Sequence, residues 1–579
     1  MFFNCHKNFS RRINFLFFIF VLIFFIPQNL QAEKKITVKD IPDNADFWSQ
    51  YPADVLADAL VERMDDEELL SQVLMFGWTG STPTELLIRW VRDRGLGSVK
   101  IFGWNTDDIN MVSKSVKLLQ ELSQSRPKKI PLFVATDQEG GWIRHVKGQT
   151  SDTPGNLAIG ASGYTMDAYL SGYYINREIK TLGINMNFAP SIDIYSNVNS
   201  TVIGPRSFGN DPNVVGAMGA AFAAGSMAAG VIPTAKHFPG HGDTALDSHG
   251  KLPQINIDLK TLNERELVPF KMLIQQNVSA IMSGHLSFPK IRGNNEPASL
   301  SKFFLTDILR NQLGYEGLII TDDMMMNGAT IYAGTLHNAV RLAIEAGNDI
   351  VISSSTPTFG EALWTRNFAL MQTDSVFRQQ VKKAARRVVY HKLKYYQNPD
   401  YAPLYPDEKM IKENIPDKEG ELFFTEQACR SISVIKQGDF PLTAEKAGKV
   451  LIAGPFISYF NEGRKRFPGA STYHYNYELA ADKSNYETWN AESLTAVARN
   501  YDTIILCVFN EHSMSIAERL RWMGKRIVIM NILSPLPVLN NDWADTVICG
   551  FSYSKYSFAA MFAALAGEIQ INGQLPLEY

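Results

Sequence analysis

Residues 231–237 read Val-Ile-Pro-Thr-Ala-Lys-His, and Phe238-Pro239-Gly240 turns the chain directly afterwards. A short apolar run bounded by Pro and Gly reads as a buried strand. The same arrangement recurs. Leu132–Thr136 leads into Asp137, Ala280–Ser283 leads through Gly284 into His285, and Leu318–Thr321 leads into Asp322. In each case a titratable side chain stands just past the C-terminal end of a predicted strand. Parallel barrels build their active sites on that face.

Three more runs, Leu96–Phe102, Ile184–Ala189 and Ile350–Ser353, complete a set of seven predicted strands. Most are followed by a loop and an amphipathic stretch, the rhythm of a parallel α/β sheet. Ala53 to Met75 reads as one helix, with Val55, Leu56, Leu60 and Met64 at three-four spacing. The fold expected is a (β/α)8 TIM-like barrel with one strand hidden; an open doubly wound sheet fits the same pattern. Tyr395 to Asp417 is rich in Tyr, Pro, Asn and Asp and reads as linker. Strand-like runs then resume at Lys449–Ala453, Thr503–Val508, Arg526–Asn531 and Thr546–Cys549, with a helix over Ser557–Ala566. The division expected is a barrel domain over 33–395, a linker over 396–424 and a smaller α/β sandwich domain over 425–579.

The N-terminal residues differ in kind. Lys7, Arg11 and Arg12 precede a 12-residue apolar run, Phe15 to Ile26, and Leu30-Gln31-Ala32 follows. A bilayer span needs about 20 apolar residues. Residues 1–32 therefore read as a cleaved signal peptide, with no stable membrane insertion after cleavage. An uncleaved anchor is the lesser alternative. The expected location is exported: periplasmic, cell-envelope or secreted. Formal charge is -3 for the 579-residue chain. Removing three basic residues brings it to -6, since -3 minus 3 is -6. Such a balance offers nothing to neutralise phosphates and argues against a nucleic-acid partner. Cys429, Cys507 and Cys549 form no disulfide framework or zinc spacing; the last two lie in apolar runs that suit buried free thiols.

Chemistry concentrates in Lys236 to His249, KHFPGHGDTALDSH. Asp247 and His249 are two apart, so an extended segment projects them to one side. A carboxylate bonded to one imidazole nitrogen fixes the tautomer and raises the basicity of the other, giving an acid/base unit. The plainer reading is a His-rich loop held by its own hydrogen bonds. A metal on His237, His241 and His249 matches no known ligand spacing, and no metal or cofactor is expected. Thr321-Asp322-Asp323 offers a strand-end carboxylate suited to nucleophilic attack on a sugar, or else a helix-capping pair. The two carboxylates point differently, so one faces the site. Asp137-Gln138-Glu139-Gly140-Gly141 suits close approach of ligand hydroxyls, or simply a tight turn. Arg206, in GPRSFG, suits a bidentate grip or a surface ion pair. Asp193 closes the stretch APSID.

These motifs resemble family 3 glycoside hydrolases, within them the β-N-acetylglucosaminidase branch. The branch signature, KHFPGHG with DSH four residues on, is met at every position. DQEGG from Asp137, NFAPSIDI from Asn187, GPRSFG from Gly204 and ITDDMMMNGA from Ile320 support it over about Asp54 to Leu393. The later part, with its Gly573-Gln574-Leu575-Pro576 turn, more loosely resembles the α/β sandwich domain of some members. The resemblance implies a retaining mechanism on a terminal β-linked N-acetylglucosamine, with muropeptides of peptidoglycan as the source. Asp322 would be the nucleophile and His249, oriented by Asp247, the acid/base. Asp137, Arg206, Lys236 and His237 would bind the sugar. The branch usually has an arginine eight residues after the first Asp of DQEGG; His145 stands there, and the neighbouring Arg144 is carried as its substitute. Two alternatives stay open: a phosphorylase, since His does not repel phosphate as a carboxylate would, and a non-catalytic envelope sugar-binding protein. Substrate-assisted catalysis, with Asp322 or Asp323 orienting the acetamide, is a further mechanistic option.

Overall fold

The computed structural model describes residues 36–200, 202–245, 250–477 and 486–577. The segment read as a signal peptide lies outside them, as do Asp247 and His249. Among the described residues no helix is long and apolar enough to cross a membrane.

Eight strands close into a parallel barrel: β1 Leu74–Phe76, β2 Ser98–Ile101, β3 Phe133–Thr136, β4 Met186–Asn187, β5 Ile232–Phe238, β6 Ala280–Ser283, β7 Leu318–Asp323 and β8 Ile350–Ser353. Strand β1 pairs with β8 and β2, so it is the closing strand. It lies at the end of the stretch read as one helix over Ala53–Met75. That stretch forms two helices, Ala53–Glu62 and Asp66–Gln72, and then a three-residue strand. Asp65 breaks the helix by accepting from the Glu68 amide as an N-cap. All three residues of β1 are buried, so no alternation marks the strand, and its apolar run simply continues the helical pattern.

Strand register decides what enters the barrel. The interior cluster includes Phe133 and Ala135 of β3, Ala280 and Met282 of β6, and Leu318 and Ile320 of β7. Side chains alternate along a strand, so the next inward positions are Asp137 after β3 and Asp322 on β7. The lower end is closed by the long helix Ser375–Tyr396, which places Val388 in this cluster and buries Lys392 completely. Lys392 Nζ donates to Gln72 Oε1 at 3.1 Å and to the Gly97 carbonyl at 2.7 Å.

The second sheet has strands β9 Ser433–Lys436, β10 Val450–Gly454, β11 Ser471–His474, β12 Thr503–Val508, β13 Arg526–Asn531 and β14 Thr546–Cys549. Their order is β9-β14-β13-β12-β10-β11, with only β9 antiparallel to its neighbour. Cys507 and Cys549 are buried free thiols on β12 and β14. The stretch read as linker holds the helix Glu408–Asn414, and a second helix, Lys418–Ser431, crosses the boundary expected at 424. Asp407 and Asp417 cap them, so the polar residues that resembled a linker are helix starts. Residues 573–576 return to the barrel. Gln574 N donates to the Ala161 carbonyl at 2.9 Å, and Asn210 N donates to the Pro576 carbonyl at 3.3 Å. Gly209 touches Pro576 so closely that a Cβ there would lie 2.5 Å from its oxygen.

Candidate active site

Lys100, Asp137 and Lys236 meet at the mouth of the barrel. Lys236 Nζ lies 2.6 Å from Asp137 Oδ1 and 2.7 Å from Glu139 Oε1. Lys100 Nζ lies 2.9 Å from Asp137 Oδ2. Burial pushes the Asp137 carboxyl up, but Lys100, Lys236 and His145 outweigh it and hold it well below the usual range. Glu139 also receives Arg206 in a bidentate pair, Nε to Oε2 at 3.0 Å and Nη2 to Oε1 at 2.7 Å. This network of alternating charges is almost wholly buried and holds Asp137, Glu139 and Lys236 each from two sides.

His237 joins it. Its Nδ1 lies 2.6 Å from Asp193 Oδ2 and its Nε2 lies 3.3 Å from Arg206 Nη2. Burial pushes the Asp193 carboxyl up, but His237 and His241 hold it well below the usual range, so it stays ionised. An ionised carboxylate only accepts, so Nδ1 carries the proton and Nε2 is left as acceptor. Asp193 also accepts from the amides of His237 and His241, at 3.1 and 2.7 Å, and from the Ser191 hydroxyl at 3.1 Å. It thereby ties the loop after β4 to the KHFPGHG turn.

Asp322 stands on the inward face of β7. Burial pushes its carboxyl up, but nearby His237, His285 and Lys100 outweigh that and hold it below the usual range, so it stays ionised. Its Oδ1 accepts the Asp323 amide at 2.8 Å. Asp323 is turned away: its Oδ1 accepts the amides of Met325 and Ser354, both at 3.0 Å. His285 donates from Nε2 to the Asp323 carbonyl at 3.0 Å and accepts the Ser299 hydroxyl at Nδ1, 2.7 Å away. Burial lowers its pKa and keeps it neutral.

The pair at 144 and 145 divides. Arg144 bonds to its own loop, with Nη1 2.5 Å from the Ser151 carbonyl and Nη2 3.2 Å from Asp152 Oδ1. Asp152 in turn accepts the Lys555 amide of the second domain at 3.1 Å. His145 faces the site, with Nδ1 3.7 Å from Asp137 Oδ2. The sequence-predicted set therefore comes together at Asp137, Arg206, Lys236, His237 and Asp322, with Arg144 set back on the rim. Sequence reasoning passed over Lys100, whose one signal is a lysine inside the apolar run Ser98–Phe102. It also gave no role to Glu139, Asp193 or His285 beyond their places in the motifs. Among the described residues no group of three or more His, Cys, Asp or Glu side chains is placed to hold a metal ion.

The family model for the glycosyl hydrolase family 3 N terminal domain matches residues 67–390, the barrel and all of these side chains. The chain belongs to glycosyl hydrolase family 3. Among its curated relatives, Beta-hexosaminidase A of Pseudoalteromonas piscicida is 34% identical over 284 residues, 46% of this chain and 47% of that one. The match thus spans about half the length of that relative. Beta-hexosaminidase of Methylococcus capsulatus is 35% identical over 244 residues, 42% of this chain and 72% of the relative. The structure of a family 3 beta-N-acetylglucosaminidase from a Paenibacillus species superposes with a TM-score of 0.80 at 24% identity, covering 89% of this chain and 99% of the other. A fungal multi-domain family 3 beta-N-acetylglucosaminidase superposes at 0.78 with 28% identity, covering 89% of this family 3 chain and 61% of the fungal one.

Proposed function

We propose that this chain is a retaining exo-β-N-acetylglucosaminidase that removes terminal β-linked N-acetylglucosamine by a covalent glycosyl-enzyme. The observation that carries the reading is Asp322: an inward strand-end carboxylate kept ionised by His237, His285 and Lys100, opposite a buried set of hydroxyl-binding groups. A nucleophile of this kind needs a separate group that first protonates the leaving oxygen and then activates water. The sequence supplies it in Asp247 and His249. Asp137, Lys236 and Arg206 hold the sugar by charge-assisted hydrogen bonds and His237 by a neutral one, while Arg144 is engaged with Ser151 and Asp152 of its own loop and His145 takes the place beside Asp137. The relatives named for hexosaminidase activity support the substrate class. Muropeptides are the proposed source of the substrate, and the first 32 residues the signal that exports the enzyme to the envelope.

The test is a product assay on N-acetylglucosaminyl-anhydromuramyl peptide, with and without inorganic phosphate. Free N-acetylglucosamine in both arms supports hydrolysis. Sugar 1-phosphate appearing only with phosphate would establish a phosphorylase, and no product in either arm would point to a binding protein.

A further inference from the structure

The turn Gly240–Asp243 is held from two sides. On one side Asp193 accepts the His241 amide, and Gly242 packs so closely on the Ile194 backbone that no side chain fits there. On the other side stands a π-helical turn, Leu262–Glu266, which opens the helix Leu267–Gln275. Such turns widen a helix locally and recur at functional sites. Here the turn carries Arg265 and Glu266. Arg265 Nη2 donates to Asp243 Oδ2 at 2.6 Å, and its Nε donates to Glu266 Oε1 at 2.6 Å. Glu266 is buried against Gly240: a Cβ on Gly240 would lie 2.8 Å from Glu266 Oε2 and 2.9 Å from its Cβ. Glu266 Oε2 has no hydrogen-bond partner among the described residues. A buried carboxyl with one unsatisfied oxygen, set beside a half-buried arginine, is a poor device for stability alone.

We infer that Arg265 and Glu266 are positioning residues for the reaction: through Asp243 and Gly240 they clamp the turn from which the acid/base segment continues. Asp247 and His249 follow Asp243 by four and six residues. The inference rests on the function proposed above. General acid and base steps tolerate little displacement, so a clamp that sets where this segment starts controls proton transfer while leaving the sugar-binding residues in place.

The prediction separates leaving groups. A 2,4-dinitrophenyl N-acetylglucosaminide departs without protonation, whereas the second sugar of N,N'-diacetylchitobiose does not. Arg265→Ala should lower kcat/KM on chitobiose about 10²-fold and leave the dinitrophenyl substrate nearly unchanged. Arg265→Lys should recover part of the loss. Asp243→Asn removes the same contact from the loop side, should reproduce the pattern, and should add little in the double variant. It also carries the test should Arg265→Ala fail to fold. An equal fall on both substrates, or no fall on either, overturns the inference. Hydrogen exchange reads the clamp independently of any substrate: amides of 240–243 should exchange faster in Arg265→Ala, and unchanged exchange overturns the clamp. Wild type failing on both sugars would instead overturn the proposed function, with the exchange result still deciding the clamp.

Discussion

Asp193 Oδ2 lies 2.6 Å from His237 Nδ1, and the same carboxylate accepts the backbone amides of both His237 and His241. One buried anion thus fixes the tautomer of the His237 imidazole, proposed above to bind the sugar, and the path of the loop behind it. Asp193→Asn keeps the shape but offers one acceptor oxygen where two serve now. Partners of this kind typically change activity about 10–100-fold. Steady-state kinetics on an aryl N-acetylglucosaminide should show that loss in kcat/KM. A variant within twofold of wild type would show that the contact is dispensable.

Asp322→Asn should remove at least about 10³-fold of kcat, the scale seen when a nucleophile is deleted. Mass spectrometry of wild type with a 2-fluoro sugar should locate the adduct on Asp322. Because His237, His285 and Lys100 hold the Asp322 carboxyl below its ordinary range, its acid limb in kcat/KM should fall below the usual carboxylate pKa. No adduct under turnover conditions would favour attack by the substrate's own acetamide.

The barrel was legible from strand ends, because Asp137, His237, His285 and Asp322 all follow apolar runs. Strand β1 was not, since three buried residues carry no alternation and adjoin a helix of similar composition. Asp322 and its neighbours sit in contiguous motifs and could be read locally. Lys100 could not: its partner is Asp137, just past the end of the adjacent strand, and only the pairing of Lys100 with Ala135 in register brings them together. The exchange of Arg144 for His145 at the site likewise depends on a hairpin, Gln138–Gly140 with Ile143–Arg144, whose register is irregular.

Glu266 should make stability fall as pH rises. Burial pushes its carboxyl up to about 7, with Asp243 and Asp193 adding to the push and Arg265 opposing it. The folded protein therefore holds a proton that the unfolded chain, with an ordinary glutamate near 4.5, gives up. Stability from this group is full below about 4.5 and is lost as pH rises through 7, on the order of 2–3 kcal/mol in total. Glu266→Gln should flatten that part of the curve in urea denaturation between those limits. An unchanged slope would mean that the group is ionised throughout.

Lys392 should act with the opposite sign. Burial alone lowers its pKa to about 7, and its contacts are the neutral oxygens of Gln72 and Gly97. The folded state disfavours the charged form, so the penalty is full below about 7 and vanishes as pH rises through the unfolded value near 10.5. Lys392→Met should stabilise the protein at pH 6 by on the order of 2–4 kcal/mol, and the gain should shrink towards pH 10. The Gly97 carbonyl keeps the Phe133 amide as partner, whereas buried Gln72 Oε1 loses its lysine donor, which offsets part of the gain. A less stable Lys392→Met at pH 6 would show that the ammonium is needed.

The contact between residues 573–576 and the barrel has a consequence in time. The loop that aims Arg206 at Glu139 leans on Gly209, and Gly209 leans on Pro576. The ribosome makes that brace several hundred residues after the loop itself. A nascent barrel can therefore close, and bury its interior, while the Arg206 loop still lacks its outer support. Support of the Arg206 loop thus waits for the synthesis of residues 573–576, and a chain released before them is left with that loop unbraced.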